Sequence, residues 1–325
     1  MSPAPDFDAS AALARFRTRV ERERVRPTTS WTAALAARLS LVPATWMRPA
    51  IAALGVVVIA TTAAVTGVAD TVLTVFEPKQ VATIQVDPRQ LGTIPDPSAY
   101  GTLTWLAQPA WHPVADASAA AAAAGFTPLA PASIPATVPS QAKYAAMGDA
   151  KATFQFDEAK ARAAAARVNA TPPPMPAAVA ATTLTMSGGP GIMTQYGSAP
   201  KVPPDQASFG GTPALVIVQV KAPVVTSNGA TVNELRDYAL AQPGIPPSVA
   251  AQVRAIGDPV ATLLVPIGID MQNAKAITVR GTQGYLVGDN TGLGSGVVWL
   301  ERGYVIGVLG TLTESELIAV VNGLR

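Results

Sequence analysis

The eighteen residues Ile51–Val68, IAALGVVVIATTAAVTGV, carry no charge, and no other feature of the chain constrains its folding as strongly. A helix needs roughly 17–25 apolar residues to cross a hydrocarbon core about 30 Å thick, so this run is just long enough. Its three threonines, Thr61, Thr62 and Thr66, can return their hydroxyls to backbone carbonyls within a helix. Arg48 and Asp70 are the nearest charges on either side. The sequence therefore predicts a transmembrane helix over 49–69, with Ile51, Leu54, Val57, Ile59, Val65 and Val68 among its membrane-spanning residues. The competing reading is an Ala/Val helix buried in a protein core.

Flanking charge sets the orientation. Arg15, Arg17, Arg19, Arg22, Arg24, Arg26, Arg38 and Arg48 precede the stretch, whereas the first cations after it are Lys79 and Arg89. An excess of Lys and Arg marks the cytoplasmic side, which keeps the N-terminus in and sends Asp70 onward out. A cleaved signal peptide is the rival, and Gly67-Val68-Ala69 would serve it as a weak cleavage site. Its positive region is normally short, while here Met1–Ala50 comes first, which favours an uncleaved anchor in the plasma membrane.

Within segment 1–48, Leu13, Phe16 and Val20 share one helical face, with arginines filling much of the rest. Two readings stand for this basic helix: it lies on anionic lipid, or it docks a cytoplasmic protein through Leu13, Phe16, Arg17 and Val20. Residues 70–115 read as an extracytoplasmic linker, punctuated by Pro78, Pro88, Pro95 and Pro97, with a strand at Val81–Val86.

Residues 116–325 read as the folded domain. An Ala-rich helix runs from Asp116 to Ala124 and stops at Gly125, and four prolines then keep Phe126–Ser140 extended. A strand at Lys151–Phe156 leads into Asp157, an N-cap for a helix over Glu158–Val168, which TPPPMP (Thr171–Pro176) terminates. Thr183–Met186 and Ile192–Tyr196 alternate on either side of Ser187–Gly191 and predict a hairpin. Ala214–Val220 is continuously apolar, as in a strand covered on both faces. Thr231-Val-Asn-Glu234 is a capping box for one helix, and Val249, Val253 and Ile256 stripe a second. Strands recur at Val260–Ile267, Ala276–Val279, Gly284–Val287, Gly296–Leu300 and Tyr304–Leu309. A last helix opens on the capping box Thr313-Glu-Ser-Glu316, with Leu312 and Leu317 as a hydrophobic staple. The predicted class is α+β: an antiparallel sheet with helices packed on one face, preceded by a single transmembrane helix and a short cytoplasmic helical segment.

The residues that would carry chemistry are sparse. The chain has no Cys, which removes disulfides, thiol catalysis and cysteine-ligated clusters, and a single His, which removes a two-histidine metal motif. His112 sits in Trp111-His112-Pro113 with no nucleophile elbow anywhere to present a serine to it. The Gly-rich runs Ser187–Gly191 and Gly292–Gly296 lack the Lys-Ser/Thr of a phosphate loop and read as turns. A net charge of +2 with scattered cations argues against nucleic acid. The reading is non-enzymatic, with no catalytic, cofactor-binding or metal residues.

Three C-terminal runs carry a family likeness: Ile277–Val287 (ITVRGTQGYLV), Val297–Tyr304 (VVWLERGY) and Gly310–Leu317 (GTLTESEL). Together they resemble a bacterial extracytoplasmic domain found at the ends of membrane-bound anti-sigma factors and of proteins related to outer-membrane lipoprotein-sorting proteins. The likeness is best over about 214–325 and looser over Gly125–Ala170. It implies a non-enzymatic domain that senses the envelope or holds a lipid or lipoprotein on a curved sheet, and a sigma factor as the cytoplasmic partner. The chain departs from that pattern in having no Cys and no His before His112, where anti-sigma factors often carry a zinc motif. A sigma factor would have to be bound by the metal-free helix at Leu13–Val20.

Overall fold

A computed structural model describes residues 72–87, 96–197, 214–268, 274–288 and 294–325. The membrane-spanning and partner-binding residues expected before position 72 lie outside this set. Among the described residues no helix is long and apolar enough to cross a membrane.

The chain builds β1 (Leu73–Phe76), β2 (Gln80–Val86), β3 (Gly101–Ala107) and β4 (Trp111–Val114), then α1 (Ala117–Ala124). Next come β5 (Ala142–Met147), β6 (Ala150–Phe156), α2 (Glu158–Arg167), α3 (Ala177–Ala180), β7 (Thr183–Gly188) and β8 (Gly191–Tyr196). They are followed by β9 (Leu215–Lys221), β10 (Val224–Ser227), α4 (Val232–Leu240), α5 (Pro247–Arg254) and β11 (Thr262–Gly268). A meander of β12 (Lys275–Val279), β13 (Thr282–Gly288), β14 (Ser295–Glu301) and β15 (Tyr304–Gly310) leads to α6 (Glu314–Asn322). The expected α+β class, mostly antiparallel sheet with a few helices, is what forms.

The strands make a five-stranded sheet in the order β1-β10-β7-β6-β3, an eight-stranded sheet in the order β12-β13-β14-β15-β9-β8-β5-β4, and a parallel pair, β2 with β11. The hairpin expected over Thr183–Tyr196 does not exist. β7 belongs to the five-stranded sheet and β8 to the eight-stranded one. Register explains why. Met147 faces Gly191 where β5 meets β8, and three residues further Ala150 faces Gly188 where β6 meets β7, so pairing is unbroken from one sheet to the other. Gly191 facing Val220 and Ser187 facing Val224 show the same continuity for β8–β9 and β7–β10. Four long strands therefore run through a corner, each serving both sheets. Gly189 makes the corner feasible: its φ is +70°, and a Cβ there would come within 2.6 Å of the Gly148 carbonyl oxygen on the adjacent strand.

Local signals form the helices as read. Asp116 caps α1 through Ala119 N, and Gly125 closes it at φ 77°. Asp157 caps α2, and both capping boxes, at Thr231 and Thr313, are formed. Leu312 and Leu317 are both buried, so the staple holds α6 at its start. The two tight turns of the meander place Arg280-Gly281 and Arg302-Gly303 at positive φ, the geometry of a two-residue turn matched to strand twist.

The helices do not share one face. α6 packs Leu317, Val320 and Val321 on Trp299, Ile306 and Val308 of the eight-stranded sheet. Tyr285, Val298 and Val305, on the opposite face of the meander, join a second cluster with Val81 and Leu263 of the parallel pair and with Phe154, Leu184 and Val225 of the five-stranded sheet. The outer side of the parallel pair then buries Ile84, Val86 and Leu264 under Val249 and Val253 of α5. The order at this end is helix, sheet, parallel pair, helix. Because β2 is apolar on both sides, it is sandwiched rather than exposed as part of a linker. The described residues of segment 73–114 are thus woven into the fold through β1–β4.

Candidate functional site

One cleft carries a polar group, the Gln242 Oε1, that has no partner among the described residues. It opens between the end of the five-stranded sheet (Phe154, Phe156), the short 3-10 helix Pro97–Ala99 with Tyr100, and the end of α4 with the turn after it (Ala239, Gln242, Ile245). Phe154 and Phe156 share a face because they are two residues apart on one strand. Their rings meet edge-on at 5.0 Å, and Phe156 meets Tyr238 of α4 in the same way at 5.2 Å.

Tyr100 fastens the cleft's other wall. Asp96 caps the 3-10 helix by accepting from Ser98 N at 2.7 Å, and the Tyr100 hydroxyl donates to the Pro243 carbonyl at 2.7 Å across 143 residues of sequence. Burial pushes the Tyr100 phenol up to about 12, because its ionised form would sit among apolar groups.

Tyr238 and Gln242 lie four residues apart on α4 and beyond its end, and each is only 4% exposed. Gln242 donates from Nε2 to the Tyr238 carbonyl at 3.1 Å. The Tyr238 hydroxyl and the Gln242 Oε1 have no hydrogen-bond partner among the described residues. Of the two, Gln242 lines the cleft, and its unpaired acceptor, costing about 1–3 kcal/mol to desolvate, is what a small hydrogen-bond donor such as a water would satisfy. The free space in the cleft is about 20 Å³, enough for about one water molecule and too little for an acyl chain.

His112 stands exposed on edge strand β4, and among the described residues no group of three metal-ligating side chains comes together. None of Tyr100, Phe154, Phe156, Tyr238 and Gln242 was singled out from sequence. The usable signal was the Phe-x-Phe alternation ahead of a capped helix, joined to a Tyr and a Gln at i and i+4. Compared with protein-family models, with curated proteins and with solved structures, the chain matches none.

Proposed function

We propose that the chain is a single-pass, membrane-anchored regulatory protein whose β-rich domain lies outside the cytoplasm and binds a ligand or signal without converting it. The observation that carries this reading is the uncharged stretch Ile51–Val68, with eight arginines before it and a folded strand beginning five residues after it at Leu73. The basic helix around Leu13, Phe16, Arg17 and Val20 is then the cytoplasmic effector end, and the likeness of the C-terminal runs to anti-sigma factors supports a sigma factor as its partner. The test has two parts. Reporter fusions at both ends of the intact chain should place the N-terminus inside and the C-terminus outside. Deleting residues 1–47 should change which cytoplasmic protein co-purifies; an unchanged set, or a C-terminus found inside, refutes the proposal.

A second reading, an envelope lipid- or lipoprotein-binding module on a simple tether, is supported by the aromatic cleft and by the strongly bent sheet that carries it. Because the cleft's free space is about 20 Å³, this reading requires α4 to move away from Phe154 and Phe156. Uptake of a fluorescent fatty acid by the intact chain, weakened by Phe156→Trp, supports it. No uptake sinks it.

A further inference from the structure

Resting on the membrane-anchored reading, we infer that the Leu73 end of the five-stranded sheet is the surface the domain holds against lipid headgroups, and that the aromatic cleft opens on that side. Register identifies this end. Leu73 pairs with Ser227, Ser227 with Leu184, Leu184 with Phe154, and Phe154 with Leu103, so one row crosses the whole sheet. Beyond that row lie Phe156 and Gly101, the last pair of β6 with β3, next to Pro97 and Tyr100 of the cleft. The corner into the eight-stranded sheet is at the opposite end of these strands.

Chain length brings the Leu73 end close to the bilayer. Four residues lie between Val68 and Leu73, so five steps of the chain give a covalent reach of at most about 18 Å. β6, at seven residues, puts the corner a further ~20 Å away along the strand.

Charge is divided the same way. Three of the segments that leave or enter the sheet at the Leu73 end are uncharged over Pro97–Thr102, Val168–Thr182 and Asn228–Asn233, while Asp70 precedes β1. Val72, at 65% exposure, precedes β1 at this end, while Leu106, another large exposed apolar residue among those described, lies toward the corner. The helices that start at the Leu73 end carry the exposed pair of Glu158 with Arg162, the exposed Arg167 and the pair of Arg236 with Asp237, and the other charges there are engaged within the fold. Asp96 and Asp157 cap helices, Lys160 donates to the Gly101 carbonyl, and Glu234 returns to Thr231. The far end instead displays Glu77, Lys79, Asp149, Lys151 and Lys221, all exposed. An end whose connecting segments are uncharged and whose charges are mostly paired or capping approaches headgroups with less stripping of water from ions.

Because the chain has no Cys, single-cysteine variants of the full-length protein test this directly. Labelled Ser98→Cys and Asn233→Cys report on the Leu73 end, and labelled Lys79→Cys and Asp149→Cys on the corner end; all four positions are exposed. The intact chain is reconstituted into phosphatidylcholine–phosphatidylglycerol vesicles containing a headgroup-tethered quencher. Quenching at Ser98 and Asn233 should be at least about threefold stronger than at Lys79 and Asp149, given the reach and strand length above. Equal or reversed quenching in protein that floats with the vesicles overturns the orientation and leaves the anchor standing. Protein that fails to float, with every label unquenched, overturns the anchor and the orientation together. Two positions at each end keep the test decisive if one variant misfolds.

Discussion

Replacing Glu301 by Gln should cost the domain about 2 kcal/mol at neutral pH, and the structure supplies the reasons. Glu301 on β14 accepts from Arg280 Nε at 2.8 Å and from a second guanidinium nitrogen of Arg280 at 3.3 Å, and from Trp299 Nε1 at 3.1 Å. Arg280 also donates to the Leu324 carbonyl just after α6, so one guanidinium ties the first meander turn to the end of the chain. The two side chains are 14% and 21% exposed, and Trp299 is fully buried. A surface pair would be worth 0–1 kcal/mol, and removing one partner of a fully buried pair costs 3–5. This pair lies between those limits, and its bidentate geometry favours the upper half. For a domain of this size about 2 kcal/mol lowers Tm by ~4–8 °C.

The sign of the pH dependence follows from Glu301 itself. Its hydrogen bonds from Arg280, more than any other cause, hold the carboxyl below the usual Glu range. A depressed carboxylate contributes stability above its unfolded value of about 4.3, and that contribution is lost as pH falls through the folded value. The deficit of Glu301→Gln relative to wild type should therefore be full at pH 7 and shrink steadily below about pH 4.3. Urea unfolding followed by Trp fluorescence at pH 7, 5 and 3.5 reads it, and the difference between the proteins cancels the other carboxylates. Arg280→Asn, which suits the positive φ at that turn, completes a double-mutant cycle: the double variant should cost less than the two singles together. A deficit under ~0.5 kcal/mol at pH 7, one that persists undiminished at pH 3.5, or additivity in the cycle would refute the reasoning.

Three further outcomes are expected. Gly189→Ala should cost about 2 kcal/mol or more by urea unfolding, since it forces an L side chain to positive φ against the Gly148 carbonyl. Tyr238→Phe should leave stability unchanged or raise it slightly, because its hydroxyl is unpaired, whereas Tyr100→Phe should cost about 1 kcal/mol for the lost bond to Pro243; equal effects in the two melting curves would contradict the cleft as described. Thr313→Ala should cost about 1 kcal/mol by removing the α6 cap, measurable as a lower urea midpoint with an unchanged m-value.

The helices were legible in the sequence because their signals are local. A capping residue, a glycine stop or a staple acts within four residues of the element it bounds, and Asp157, Thr231 and Thr313 cap where expected, while Asp116, read as the start of its helix, caps it. The strands of the meander were legible for the same reason, their two-residue turns lying between alternating runs. Pairing between distant segments was not. β2 finds β11 about 180 residues later, and no property of either strand names the other. The cleft was illegible for a related reason: Tyr100 meets Pro243 only after the five-stranded sheet and α4 have formed.

The misread hairpin shows where local reading ends. Gly-Gly-Pro-Gly between two alternating runs fits a tight turn that reverses the chain and equally well a corner that lets one strand carry on. Parity along the strand is compatible with both, because a hairpin with the five-residue loop Ser187–Gly191 would also pair even positions with even. Leu184, Met186, Ile192, Thr194 and Tyr196 are all even-numbered, as one continuous strand would have them, and Leu215, Ile217, Val225 and Ser227 keep odd parity through the next corner. The same interval of two residues recurs between β5 and β6, β7 and β8, and β9 and β10. What separates the readings is register: Met147 with Gly191 and Ala150 with Gly188, then Gly191 with Val220 and Ser187 with Val224, keep one register across the breaks, which three hairpins would not. The strands must be one sheet bending along a line. That bend puts Phe154, Phe156 and Leu184 on a surface α4 can cover, so the cleft exists because the strands continue.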